Sequence, residues 1–203
     1  MKIKTIIFII AVIVLIAIIG FKMTGNTITG ESINDKVIDG NPDTENQMSI
    51  KKQTKVKLQT NQGDIILELR NDMPITTSNF ENLVKKGVYD GVIFHRIIPD
   101  FMIQGGDPTG TGMGDSSIPN IKDEFSNNNQ NNKGTISMAN AGPNTGSSQF
   151  FINLVNNNFL DDKHPVFWKV IEGMDVVDKI SQVETGAQDR PIEEVKIIKA
   201  EII

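Results

Sequence analysis

Residues 94–107 read FHRIIPDFMIQGGD. Two short β-like runs, residues 92–98 and 101–104, are separated here by a turn at Pro99 and closed by Gly105 and Gly106, residues that punctuate strands rather than continue them. Inside the first run stands Arg96, which on a regular strand shares a face with Phe94 and Ile98. A guanidinium is permanently charged, so its position in an apolar run calls for a partner or a task. Taken alone, the segment leaves two readings open: a structural ion pair on a sheet surface, or a functional cation.

Working outward, the pattern of many short strands continues on both sides. Residues 55–60 and 63–70 bracket Asn61-Gln62, and Ile65, Leu67 and Leu69 fall on one side of the second run, which predicts an antiparallel hairpin. After Pro74, residues 76–86 carry Phe80, Leu83 and Val84 at helical spacing and stop at Gly87. Further β-like runs are expected at residues 134–138, 149–154 and 166–170, a second helix at 174–183 around Val176, Val177 and Ile180, and a last strand at 195–203. Short strands with just two helices predict a closed antiparallel barrel whose open ends the helices cover.

The N-terminal quarter has a different character. Lys2 and Lys4 precede an apolar run from Thr5 to Phe21, near the lower limit for crossing a hydrocarbon core of about 30 Å. Residues 1–22 therefore read as a membrane anchor or a signal segment, and the absence of a small-residue cleavage motif just after the run favours an uncleaved anchor. The lysines before it put the N-terminus inside and the remainder outside the cytoplasm. Residues 23–53, rich in Thr, Gly, Asn, Asp and Ser, read as a flexible linker, and residues 54–203 as the globular domain.

Composition narrows the chemistry. A net charge of -5 opposes nucleic-acid binding, which needs clustered Lys and Arg. Cysteine is absent, which removes thiolate nucleophiles, disulfides and Cys-based metal sites, and the two histidines, His95 and His164, lack a ligand pattern around them. No metal or other cofactor is expected.

Two further stretches carry residues that folding alone does not demand. Residues 138–151 read MANAGPNTGSSQFF, where small residues and a Gly-Pro-Asn turn leave backbone groups accessible to an extended peptide. Residues 159–167 read FLDDKHPVF, mixing apolar and polar tips. In this order and spacing, the three blocks resemble the signature blocks of the cyclophilin family, and the resemblance runs over residues 55–203.

That resemblance implies an eight-stranded antiparallel barrel with two helices, and catalysis of rotation about Xaa-Pro bonds in proline-containing polypeptides. By position, Arg96 is similar to the family's catalytic arginine, and Phe101, Met102, Phe151 and Leu160 to its proline pocket. Gln104, Ala139, Asn140 and Gln149 fall where the family contacts the substrate backbone or positions the arginine, and His164 where it has a histidine at the pocket edge. Phe159 joins the substrate-binding set but stands where cyclosporin-sensitive members usually have tryptophan, so the indole donor is missing. Trp168 occupies a position where glycine is usual. A proline-peptide-binding module without turnover is the alternative reading, and a monomer is the default for such a barrel.

Overall fold

A computed structural model describes residues 53–203; the expected anchor and nearly all of the linker lie outside the described residues. The hairpin forms as its sequence predicts. β1 (Lys55–Thr60) and β2 (Gly63–Leu69) pair antiparallel with Thr60 opposite Gly63. Ile65, Leu67 and Leu69 are buried together, as period-two alternation requires. The first helix, α1 (Pro74–Lys85), begins two residues earlier than its hydroxyl-rich start suggested. Proline is tolerated at the first helical position because its missing N–H would have had no partner there. No local side chain caps the helix; instead Glu124, from a distant loop, accepts from the Thr76 N–H at 2.7 Å and from the Thr76 hydroxyl at 3.0 Å. A carboxylate suits that end of a helix dipole.

β3 (Arg96–Ile98), β4 (Met102–Gly105), β5 (Thr135–Met138), β6 (Phe150–Asn153), β7 (Val166–Glu172) and β8 (Ile197–Ile202) complete the sheet, with α2 (Met174–Ile180) between β7 and β8. All eight strands belong to one antiparallel sheet of order β3-β4-β6-β5-β7-β2-β1-β8. The fold is thus mainly β, an eight-stranded half-barrel with two helices. The expected closed barrel is not completed by a strand ladder. On the side of its edge strands β3 and β8, the segment before β3 meets the start of β8 and the residues before it through the isolated bridge Ile93–Lys196 and through bonds from Phe94 N–H to Val195, Ile197 N–H to Val92 and Gly91 N–H to Ile197, each 2.8 Å.

That same irregularity corrects the reading of Arg96. β3 starts at Arg96, so Phe94 lies before the strand and is wholly buried in the core, whereas the Arg96 side chain is 44% exposed. The core is strongly aromatic: Phe80 of α1 lies 4.7 Å from the Tyr89 ring and 4.8 Å from that of Trp168. Trp168 is buried in this cluster. Ile97, Ile103, Phe150 and Ile152 point into the core from β3, β4 and β6, and the opposite face of those three strands is left to build a site.

Candidate active site

On that outer face the register aligns Arg96 of β3 with Gln104 of β4 and Phe151 of β6 in one row. Two residues along β4, Met102 shares the face of Gln104 and pairs with Ile98 and Asn153. The β3–β4 connection is a tight turn in which Phe101 N–H donates to the Ile98 carbonyl at 3.2 Å and Asp100 takes a φ of 58°, a left-handed conformation that Asp tolerates better than most residues. This turn sets Phe101 at the end of the row.

Leu160 arrives on a single 3-10 turn, Asn158–Leu160, and His164 just after it. The His164 Nδ1 lies 3.0 Å from the Met138 carbonyl, and its ring stands edge-on to Phe151 at 5.3 Å. A carbonyl only accepts, so Nδ1 carries the proton in this contact. Arg96, Phe101, Met102, Gln104, Ala139, Asn140, Phe151, Leu160 and His164 thereby line one cleft of about 320 Å³.

Two of the expected residues do not line it. Gln149 belongs to a neighbouring cleft of about 720 Å³, which shares Gln104, Ala139 and Asn140 with the first. Its amide bridges the two: it accepts from Gln104 Nε2 at 3.0 Å and donates to the Gly112 carbonyl at 3.1 Å. Phe159 is 67% exposed and lies outside the lining, its ring stacked on Phe101 at 6.0 Å and 17°. The 3-10 turn that sends Leu160 inward leaves its neighbour on the rim.

Gln104 lies directly across from Arg96 in the strand pair, and its Nε2 donates to Gln149. Among the described residues, the Arg96 side chain has one hydrogen-bond partner, Asp189, whose Oδ2 lies 3.2 Å from Nε. Arg96 thus forms a surface ion pair and also lines the cleft. Asp189 was missed because it lies 93 positions away, in a short polar turn with no pattern linking it to Arg96.

The larger cleft is shaped by another residue the sequence did not single out for this purpose. Asp107 is fully buried; its Oδ1 accepts from the Thr109 N–H at 2.9 Å and hydroxyl at 2.8 Å, and its Oδ2 from the N–H groups of Gly112 at 2.7 Å and Gly114 at 3.1 Å. Burial alone would raise this carboxyl, but those donors hold it below its ordinary value. Gly106, just before it, has φ 83°, and a Cβ there would come within 2.6 Å of the Ser148 carbonyl, so glycine is needed where the first two sequence blocks touch.

The arrangement has three working parts. Phe101, Met102, Phe151 and Leu160 make an apolar wall; Arg96 presents terminal Nη donors that no described residue takes; and the Asn140 backbone N–H and C=O, on the edge between the clefts, make no bond among the described residues. An extended peptide carrying a small apolar ring fits all three. The larger cleft lacks that aromatic wall.

Comparison with known proteins follows the same lines. The family described as cyclophilin type peptidyl-prolyl cis-trans isomerase/CLD matches residues 55–202. Peptidyl-prolyl cis-trans isomerase ppi1 of Schizosaccharomyces pombe is 54% identical over 149 residues, 71% of this chain and 96% of that protein. Peptidyl-prolyl cis-trans isomerase-like 1 of Gibberella zeae is 50% identical over 154 residues, 74% of this chain and 95% of its own length. A crystal structure of a Cryptosporidium parvum cyclophilin type peptidyl-prolyl cis-trans isomerase superposes with a TM-score of 0.71 at 34% identity, covering 74% of this chain and 98% of that one. A second structure of that parasite protein, in the presence of the dipeptide Ala-Pro, superposes with a TM-score of 0.70 at 35% identity, covering 73% and 98%.

Proposed function

The chain belongs to the cyclophilin type peptidyl-prolyl cis-trans isomerase family, and from that membership we propose that Arg96 is its transition-state donor and that it works on translocated polypeptides outside the cytoplasm. It is an enzyme that accelerates rotation about Xaa-Pro bonds. The observation that carries the assignment of Arg96 is its meeting with Phe101, Met102, Phe151, Leu160 and His164 around one cleft. The Ala-Pro dipeptide used with the parasite relative fits a pocket of this kind, and proline-containing polypeptides are the substrates.

Twisting a peptide bond abolishes amide resonance, which sets a barrier of about 18–20 kcal/mol. As resonance is lost, the prolyl nitrogen becomes pyramidal and recovers a lone pair. A guanidinium N–H beside it then gains an acceptor that barely exists in the planar ground state, which is the condition for lowering a barrier. Such a charge-assisted bond is worth about 1.5–3 kcal/mol, or about tenfold to a hundredfold at about 1.36 kcal/mol per decade. The apolar wall supplies the rest by clamping the ring while Asn140 holds the flanking backbone.

In a protease-coupled assay of an Xaa-Pro peptide, Arg96→Ala is expected to lower kcat/KM of the full chain about tenfold to a hundredfold. Wild-type activity in that variant would remove Arg96 from the mechanism.

The extracytoplasmic role rests on Lys2 and Lys4 followed by the apolar run from Thr5 to Phe21, with residues 23–53 as a tether that gives a monomeric domain reach from the membrane. Uncatalysed Xaa-Pro isomerisation takes tens to hundreds of seconds, slow enough to delay newly exported chains. Added protease should shave the isomerase domain from intact cells or spheroplasts and leave it protected only if the domain faces the cytoplasm.

A further inference from the structure

We propose that Asp189 is a positioning residue that fixes the plane of the Arg96 guanidinium for catalysis; this rests on the reading of Arg96 as the donor. Asp189 holds Nε at 3.2 Å, so the nitrogen nearest the side-chain stem is occupied while the two terminal nitrogens stay free toward the cleft. Gln104, directly across the strand pair from Arg96, makes no hydrogen bond to it among the described residues; its Nε2 donates to Gln149.

The turn that presents Asp189 is costly to build. Gln188 and Asp189 both adopt left-handed backbone, at φ 61° and 58°, within the 3-10 turn Ala187–Asp189. Consecutive non-glycine residues rarely do so. Strain of this kind persists where the surroundings impose it, and it collects at functional sites. Here the surroundings are explicit: Gly186 N–H donates to the Arg190 carbonyl at 2.8 Å, and Arg190 Nη1 donates to the Gly110 carbonyl at 2.7 Å.

Fold stability does not account for the pair. Its side chains are 44% and 46% exposed, and ion pairs so open to solvent contribute little. Orientation is what it offers. An arginine this exposed samples many rotamers, and each must be given up when its N–H meets the prolyl nitrogen. A carboxylate on Nε selects the rotamer beforehand and leaves the fork of donors intact. Solvent screens the charge it brings.

The test compares Asp189→Gly and Asp189→Asn in the full chain, each with Arg96 intact and with Arg96→Lys, measuring kcat and KM on an Xaa-Pro peptide and thermal stability. Glycine accepts a φ of 58° without strain, so the fold survives. Asp189→Gly should lower kcat about fivefold, which is about 1 kcal/mol at about 1.36 kcal/mol per decade, with KM and melting temperature unchanged. Asp189→Asn, which keeps an oxygen for Nε, should recover most of the rate. In the Arg96→Lys background, Asp189→Gly should have no further effect. The inference is overturned if Asp189→Gly keeps the wild-type kcat, or if it loses as much with Arg96→Lys as without. Wild-type activity in Arg96→Lys alone would instead overturn the reading of Arg96, and this inference with it.

Discussion

The Arg96 side chain is 44% exposed and has one hydrogen-bond partner among the described residues, whereas Asn131 and Asn153, beneath the same cleft, are wholly buried and heavily bonded. Asn131 Oδ1 accepts from the Ser137 hydroxyl at 2.6 Å, and its backbone N–H reaches Asp161 Oδ1 at 2.7 Å. Asn153 Oδ1 accepts from Asn157 Nδ2 at 2.9 Å, and that same Nδ2 reaches the Phe101 carbonyl at 2.8 Å. Asn129 Nδ2 holds the His164 carbonyl at 3.1 Å, while its Oδ1 accepts the Val166 N–H at 2.7 Å. The cleft face leaves the terminal donors of Arg96 without a partner among the described residues, whereas the amides behind it are bonded. A satisfied buried network is stiff, so the amides form a floor that fixes Phe101, Leu160 and His164 while Arg96 remains open to substrate.

The contrast is broken most forcibly from below. Asn131→Ala would strand the Ser137 hydroxyl and remove an amide from Asp161, whose carboxyl, although burial would raise it, is held low by the Asn131 and Asn158 donors. The expected loss is about 2–4 kcal/mol of unfolding free energy, read by chemical denaturation. The folded fraction should keep kcat within about twofold, because Arg96 and Asp189 lie off the network, and show a raised KM as the wall loosens. A kcat deficit as deep as that of Arg96→Ala would mean that the floor and the donor act as one unit.

The two regions were not equally legible. Arg96, Phe101, Met102, Phe151 and Leu160 stand in blocks whose order and spacing name their neighbours, and strand register then brings them together. The asparagines of residues 127–132 read as a short polar loop, because nothing in a run of amides reveals which will be buried; that depends on Ser137 of β5, Asn153 of β6, and Asn157 and Asp161 at the two ends of the 3-10 turn. The hairpin and both helices could be read from local periodicity. Closure of the barrel could not, since Phe94 and Val195 look like strand residues and yet belong to irregular segments joined by a lone bridge. Asp189 was hidden for the same reason as the asparagines: its meaning lies in a partner distant along the chain.

His95 sharpens the comparison from within the chain, since it follows Arg96's neighbour Phe94 inward while Arg96 turns out. It is 7% exposed, its Nδ1 has no partner among the described residues, and a Cβ on Gly112 would lie 3.2 Å from its ring. Burial lowers its pKa below the ordinary 6.5; Asp107 opposes that shift, while Arg190 and Arg96 reinforce it. The unfolded chain thus binds a proton that the folded chain resists, so stability is complete above pH about 6.5 and falls as pH drops from there toward the lower folded value. His95→Phe should flatten the stability profile across that acidic window and leave it unchanged above about pH 7.5. An identical acid slope in the variant would assign it to other groups.

The smallest expected effect belongs to the rim. Phe159 touches the cleft only through its stack on Phe101, 6.0 Å away and nearly parallel, and at 67% exposure it has little burial to lose. Aromatic pairs are worth about 0.5–1.5 kcal/mol beyond their area, and an exposed pair sits at the low end of that range. Phe159→Ala should therefore raise KM about two- to threefold, equivalent to about 0.4–0.7 kcal/mol, with kcat and stability unmoved. Phe159→Trp should restore KM, because a larger ring can keep the stack. The direction of this split matters more than its size. Because Phe101 is held from behind by the bonds of its carbonyl to Asn157 Nδ2 at 2.8 Å and Leu154 N–H at 3.0 Å, removing the stack in front should cost binding without displacing the wall. If Phe159→Ala instead lowered kcat, the rim and not the amide floor would be what holds Phe101 in register with Arg96.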